Sequence, residues 1–216
     1  LPYFKASDQA FLLISTGTWS IVLNPFNNSD LSQKDLKKDG LNYMRIDGHP
    51  VRASRLFLGK EYSLQLKKLR DYYKVDKKAH RAVKFSESIY QQLTKKIQHY
   101  FTFEAINTKR KQPQTTILSC FATFEIAYHQ LMMELVELQI AHAERAIGKT
   151  AVEKIFIDGG FADNDLFVKL IARHFKNLKI RTTQSPLGSA LGAAMVLSEK
   201  KVKSNFLKKH YAMKKQ

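Results

Sequence analysis

The stretch Ile157-Asp158-Gly159-Gly160-Phe161-Ala162-Asp163-Asn164 constrains the fold of this chain more than any other. An apolar run, Val152 to Ile157, leads into it, and an amphipathic run, Leu166 to Phe175, follows. A short apolar run ending at glycine reads as a buried strand, and the next periodicity reads as a helix. The window therefore encodes a strand, a glycine turn and a helix start. Adjacent glycines let the backbone turn tightly and approach a flat or charged ligand closely. Asp163 or Asn164 can cap the helix, whose first amides attract anions. The arrangement suits a nucleotide, but by itself it does not define one.

The neighbouring segments extend this unit into a sheet. Phe11–Ile14 and Trp19–Leu23 are apolar runs joined by Ser15-Thr16-Gly17-Thr18, a hairpin with a turn of hydroxyls and glycine. Asn24 to Ser29 ends it. Asn42–Ile46 and Val51–Leu58 form a second extended pair around the turn Asp47-Gly48-His49-Pro50. From Glu61 to about Phe103 the pattern becomes helical and basic, with Tyr62, Leu66, Leu69 and Tyr73 at helix spacing. Thr108 to Thr116 is a polar loop containing Pro113. Phe121–Ile147 predicts a long helix with Phe124, Ala127, Tyr128, Leu131, Leu135, Leu138 and Ala141 on its apolar face, and Gly148 ends it. A strand near Leu178–Thr182 and a small-residue helix, Leu187–Leu197, come after the central window. The tail beyond Lys200 is expected to fray or to form a surface helix. Two hairpin pairs, helices, then strand-helix-strand-helix make a mixed α/β sheet with helical cover.

Composition narrows the functional classes. The 216 residues are 44% hydrophobic and 25% charged, as in soluble globular proteins able to bury a sizeable core. No apolar run approaches the roughly 20 residues that span a bilayer, so no membrane partner is expected. The N-terminus lacks a signal-peptide core, and its first residue is not Met, so the chain reads as a fragment or a trimmed product. The single Cys120 excludes an internal disulfide and fits a reducing, cytoplasmic compartment. Its neighbours Ile117, Leu118 and Phe121 predict a buried structural thiol. The net charge of +17 raises the question of nucleic acid. Yet the lysines are spread along the chain, densest from Lys60 to Lys111 and after Lys200, without an RNA- or DNA-binding signature. A solvated basic surface is the favoured reading, one that also draws in anionic nucleotides. No Cys/His cluster has metal-ligand spacing. His129 reads as a packed helix histidine, Met132 and Met133 as core filler, His49 as solvent-facing, and Trp19 as a packing anchor for the hairpin.

The order of elements matches the ribonuclease-H-like half-domain used by actin, hexokinase and related ATPases. Three segments make a narrower match. They are Leu13-Ile14-Ser15-Thr16-Gly17-Thr18-Trp19-Ser20; Ala127-Tyr128-His129-Gln130-Leu131-Met132 followed by Ile157 to Asn164; and Ala190-Leu191-Gly192-Ala193-Ala194. In this order they resemble the C-terminal domain of the FGGY carbohydrate kinases. The likeness is strongest to the rhamnulokinase and fuculokinase branch, whose hairpin turn reads S-T-G-T-W. It runs from about Leu1 to Leu197, and a basic helical insert, about 60–112, is its least recognisable part.

The resemblance implies an α/β, ribonuclease-H-like (actin/hexokinase-like ATPase) domain: a mixed sheet with flanking helices and a basic insert. It implies a nucleotide-binding domain over residues 1–200, a basic tail over 201–216, and an N-terminal sugar-binding domain outside this chain. The implied cofactors are ATP and Mg²⁺, and the implied acceptor is a ketose such as rhamnulose, fuculose or xylulose. Ser15, Thr16, Gly17 and Thr18 would be the second phosphate loop, facing the β- and γ-phosphates. Gly159, Gly160 and Phe161 would form the wall against adenine, with Asn164 reaching the adenine or ribose. Asp158 would hold the loop or a metal-bound water. Read as residues alone, an ordinary hairpin turn is the lesser alternative for the first loop, Asn164 can be a helix cap as well, and a plain strand-end aspartate is at least as good a reading of Asp158.

The family's general base is an aspartate in an H-D-S-like motif of the N-terminal domain. Asp8 lies too close to the first strand and lacks that context, so no catalytic residue is expected here. The family's second signature is not recognisable around Arg55-Leu56-Phe57-Leu58-Gly59-Lys60. The isolated domain is expected to be inactive, and a homodimer stays open. A non-catalytic regulatory protein of the actin-like fold is the alternative, and a basic nucleic-acid-binding module the third reading.

Overall fold

A computed structural model of the chain describes residues 9–45, 47–96, 98–108, 110–183, 192–194 and 214–215. The fold is built on β1 (Phe11–Thr16), which lies at the centre of a mixed sheet. β2 (Ser20–Asn24) returns antiparallel beside it, and β5 (Lys154–Gly159) runs parallel on its other side. A strand paired on both edges and covered on both faces needs a nearly continuous apolar run, and Phe11-Leu12-Leu13-Ile14 is buried throughout. Leu12 and Ile14 join the main core, while Phe11 meets Phe26 and Phe156 edge-on at 5.3 and 5.2 Å. β3 (Gly40–Met44) and β4 (Pro50–Leu56) form the second antiparallel pair, with β4 against β2. β6 (Lys179–Thr182) lies parallel to β5 and β7 (Lys214–Lys215) antiparallel to β6, giving the order β3-β4-β2-β1-β5-β6-β7.

Helix α4 (Phe124–Ile147) is the central support. Thr123 caps it through a bond from the Ile126 amide, and Gly148 stops it at φ 56°. Its burial extends well beyond the predicted stripe, taking in His129, Gln130, Glu134 and Gln139. The helix is enclosed by the sheet, by α2 (Leu58–Tyr73) and by α5 (Asp165–His174). Leu131 and Leu135 are fully buried, each contributing about 1.5–3 kcal/mol. His129 is packed as expected: its Nδ1 meets the Glu125 carbonyl and its Nε2 accepts from the Ser86 amide.

The structure corrects three expectations. The helical stretch from Glu61 to about Phe103 is broken. Lys74, in the left-handed conformation, ends α2, and a 3₁₀ turn (Ala79–Arg81) and α3 (Glu87–Thr94) follow. Beyond α3 the backbone is irregular because buried carboxylates, not helical carbonyls, take its amides. Glu134 accepts from Tyr100 N at 2.7 Å, and Glu61 accepts from Glu104 N at 2.9 Å and Ala105 N at 2.5 Å. The phenyl rings of Phe101 and Phe103 are thereby turned into the core.

Cys120 is exposed, not buried. It sits in the turn before α4, where Phe121 turns inward and Cys120 outward, its thiol directed at the Ile117 carbonyl. The tail is neither frayed nor helical where described, for Lys214–Lys215 (β7) pairs antiparallel with β6. The short helix α1 (Gln33–Leu36), closed by a Ser32/Asp35 capping box, had no counterpart in the sequence reading. Asp8 and most of the expected helix Leu187–Leu197 lie outside the described residues; 192–194 are helical.

Candidate nucleotide site

Parallel pairing of β1 and β5 brings their carboxyl ends together, with Thr16 opposite Gly159. In open α/β sheets the crevice beyond such strand ends is where ligands bind. The approach of the two strands is close enough to dictate a residue type. Gly159 has φ +81°, and a Cβ placed there would lie 1.8 Å from the Thr16 carbonyl oxygen. The Thr16 hydroxyl donates to the Asp158 carbonyl at 2.5 Å and accepts from the Phe161 amide at 3.0 Å. Gly160 N also donates to the Thr16 carbonyl at 2.9 Å. Thr16 thus joins the hairpin turn to the glycine turn.

A third element meets them. The first amides of α2, on Gly59 and Lys60, donate to the Thr18 carbonyl at 3.1 and 3.2 Å. A Cβ on Gly59 would lie 2.0 Å from the Gly17 carbonyl oxygen. The junction of β4 and α2 therefore needs glycine for the same reason as the junction of β5 and α5.

The helix start after the glycines is built as the sequence suggests. Asn164 is the cap of α5, its Oδ1 accepting from Phe167 N at 3.1 Å. Its other amide end donates to the Tyr128 hydroxyl at 2.8 Å, and Tyr128 shares a 2.9 Å bond with Tyr62. Burial raises the pKa of both phenols, and for Tyr62 the neighbouring Tyr128 adds to the effect. Both stay protonated and available as donors. Phe161 packs its ring on Tyr62 and Phe167, each at 5.0 Å.

These elements enclose an open cavity of about 600 Å³, within the usual range for small-molecule sites. Of the residues singled out in the sequence, Gly17, Thr18, Gly160, Phe161 and Asn164 line it. Thr16 and Gly159 lie beneath it and fix its shape. Ser15 and Asp158, paired in register, do not line it, as expected one step along strands whose side chains alternate. Nothing lies within 4 Å of a Cβ built on Gly160, so this backbone faces open space. Trp19 is half-exposed and stacks on Phe57 at 4.3 Å, anchoring the hairpin from outside the cavity.

The far wall was not read from the sequence. Gly59, Tyr62 and Ser63 come from the first turns of α2, and His80, Arg81, Val83 and Lys84 from the segment after it. Asp163 and Asp165 complete the lining. Gly59 carried a usable signal, a glycine at a strand-to-helix junction. Residues 80–84 carried none, because nothing local tells which way that segment folds. Burial lowers the pKa of His80, with Arg70 and Arg81 adding to it, so its ring is neutral at pH 7. Among the described residues no group of three acidic, histidine or cysteine side chains converges as a metal site, and no helix is long and apolar enough to cross a membrane.

The architecture has close parallels. A carbohydrate kinase from Novosphingobium aromaticivorans superposes with a TM-score of 0.58 at 17% identity, covering 99% of this chain and 46% of that one. A xylulose kinase from Bifidobacterium adolescentis gives 0.59 at 16% identity, covering 100% and 42%. A Plasmodium falciparum glycerol kinase solved with ADP gives 0.52 at 15% identity, covering 86% and 37%. The chain thus spans less than half the length of these structures, and at such identities they define the fold alone. No curated protein sequence matches it. The class is the ribonuclease-H-like, actin/hexokinase-like ATPase fold. Residues 8–205 match the family profile of the carbohydrate kinase FGGY C-terminal domain, and the chain belongs to that family.

Proposed function

We propose that this chain is the nucleotide-binding half of an ATP-dependent sugar kinase. The observation that carries the proposal is the convergence of Gly17-Thr18 and Gly160-Phe161 on one cavity with an open glycine face. A flat base can lie against backbone that bears no side chain. That the P. falciparum glycerol kinase was solved with ADP supports the same reading.

In this reading Gly17 and Thr18 face the β- and γ-phosphates, with Ser15 and Thr16 forming the strand end behind them. Gly160 and Phe161 form the adenosine wall. Gly159, Asp158 and Asn164 hold that wall in place through the bonds described above. Phosphoryl transfer asks mainly for positioning and charge stabilisation, which loops of this kind supply. When bound, Mg²⁺ neutralises phosphate charge, and it enters with the nucleotide. The acceptor is a ketose such as rhamnulose, fuculose or xylulose, in keeping with the S-T-G-T-W turn at Ser15 to Trp19. The general base and the sugar contacts come from an N-terminal domain, so this chain by itself binds nucleotide without transferring phosphate. The domain reading of residues 1–200, with an insert at about 60–112, belongs to this proposal, as does a cytoplasmic location.

The test is calorimetric titration of MgATP into the chain and into Gly160→Val. Saturable binding, weakened about tenfold or more in the variant, is the expected result. Absence of binding, or equal affinity in both proteins, would overturn the proposal.

A further inference from the structure

The basic insert makes up one wall of the cavity through a segment fixed from behind. Asp165 accepts from the Phe85 amide at 2.8 Å, and His129 accepts from the Ser86 amide at 3.1 Å. Glu87 pairs with both terminal nitrogens of Arg173 at 2.8 and 3.0 Å, and that guanidinium lies over Tyr90 at 4.3 Å. These contacts come from α5, which follows the glycine wall, and from α4, whose Tyr128 bonds to the Asn164 cap of α5. The segment is therefore a built part of the cavity and not a loose surface loop.

Arg81 and Lys84, both exposed, belong to this segment and to the lining. Among the described residues, neither side chain makes a hydrogen bond or an ion pair. The lining also holds the carboxylates of Asp163 and Asp165, which oppose an anionic ligand. With His80 neutral, the cations among the described lining residues are Arg81 and Lys84. A cavity of about 600 Å³ is roughly 10 Å across, close to one screening length at physiological salt. A cation on its wall therefore acts on a phosphate anywhere inside.

We infer that Arg81 and Lys84 are the charge-selecting residues of the cavity, making it prefer a nucleoside polyphosphate over the uncharged nucleoside. This rests on the nucleotide reading above. It also gives two residues of the lysine-rich insert a specific task, where the sequence suggested a solvated basic surface that draws in anionic nucleotides as a whole. With both cations removed, the lining keeps two carboxylates, and each added phosphate on the ligand meets more repulsion.

The experiment titrates adenosine, AMP, ADP and ATP into the chain, into Arg81→Gln/Lys84→Gln, and into the charge-retaining Arg81→Lys/Lys84→Arg. A control, Lys77→Gln/Lys78→Gln, removes two exposed cations outside the lining. The neutral double variant is expected to lose about tenfold in ATP affinity, progressively less for ADP and AMP, and under about twofold for adenosine. The charge-retaining variant and the control are expected to follow the parent chain. An equal loss for all four ligands, or none for ATP, would overturn the inference. A parent chain that binds adenosine as tightly as ATP overturns this inference alone. A parent chain that binds none of the four overturns the nucleotide reading as well.

Discussion

The two walls of the cavity are made in different ways. The wall at β1, β5 and α5 is backbone: Gly159 and Gly160 turn the chain, Thr16 bonds across it, and Asn164 closes the helix end. The wall at 80–84 is side chain, displayed on a segment fixed by distant partners. The first is tied to sequence by stereochemistry, since few residues other than glycine accept φ +81°. The second depends only on where a segment of ordinary composition happens to dock. Shape is thus specified by one wall and positive charge by the other.

The sharpest way to break this contrast is Gly159→Ala. The new Cβ would fall on the Thr16 carbonyl, which belongs to the central strand and cannot move aside. We expect a loss of about 3 kcal/mol or more in urea unfolding. Next is Gly160→Val, where open space receives the side chain. Nucleotide affinity should drop about tenfold while unfolding stability changes by less than about 1 kcal/mol. If Gly160→Val unfolded the chain as Gly159→Ala does, the glycines would not have separate roles. Tyr128→Phe removes a hydroxyl bonded to both Tyr62 and Asn164. About 1 kcal/mol should be lost in urea unfolding, since the partly buried Asn164 amide is left without that partner. The smallest effect belongs to the docked wall. Glu87→Gln breaks an exposed ion pair with Arg173 and should lower the urea midpoint only slightly, a difference that shrinks further in high salt.

The same division explains what could be read in the sequence. Both hairpins, the cap at Asn164 and the stop at Gly148 were legible, because each depends on residues a few positions apart. The irregular stretch after α3 was not, because the helix spacing of Tyr62, Leu66, Leu69 and Tyr73 was carried on to about Phe103. Its amides are satisfied by Glu61 and Glu134, which lie more than thirty residues away in sequence. Buried carboxylates at helical positions look like surface charges until the partner backbone is known. Cys120 misled for a related reason. Apolar neighbours predict burial along a regular element, but a turn separates adjacent side chains: Phe121 went inward and Leu118 packs against the core, while Ile117 and Cys120 are exposed. At the site, five of the residues expected there face the cavity, and Thr16 serves it from beneath. Arg81 and Lys84 had no local mark, for no turn, cap or repeat accompanies them.

The pairing of β1 with β5 also has a consequence in time. Phe11 is matched with Lys154 and Thr16 with Gly159, so the two innermost strands are separated by most of the chain. Closing so long a loop is slow compared with forming a hairpin. During synthesis β1 and β2 can pair early, but the other edge of β1 stays open until β5 emerges from the ribosome. That edge is an apolar strand, the kind that recruits other chains while it waits. The cavity, whose floor is the β1–β5 seam, therefore cannot form before β5 is made, and a chain cut short of β5 would expose a sticky edge before it had any pocket.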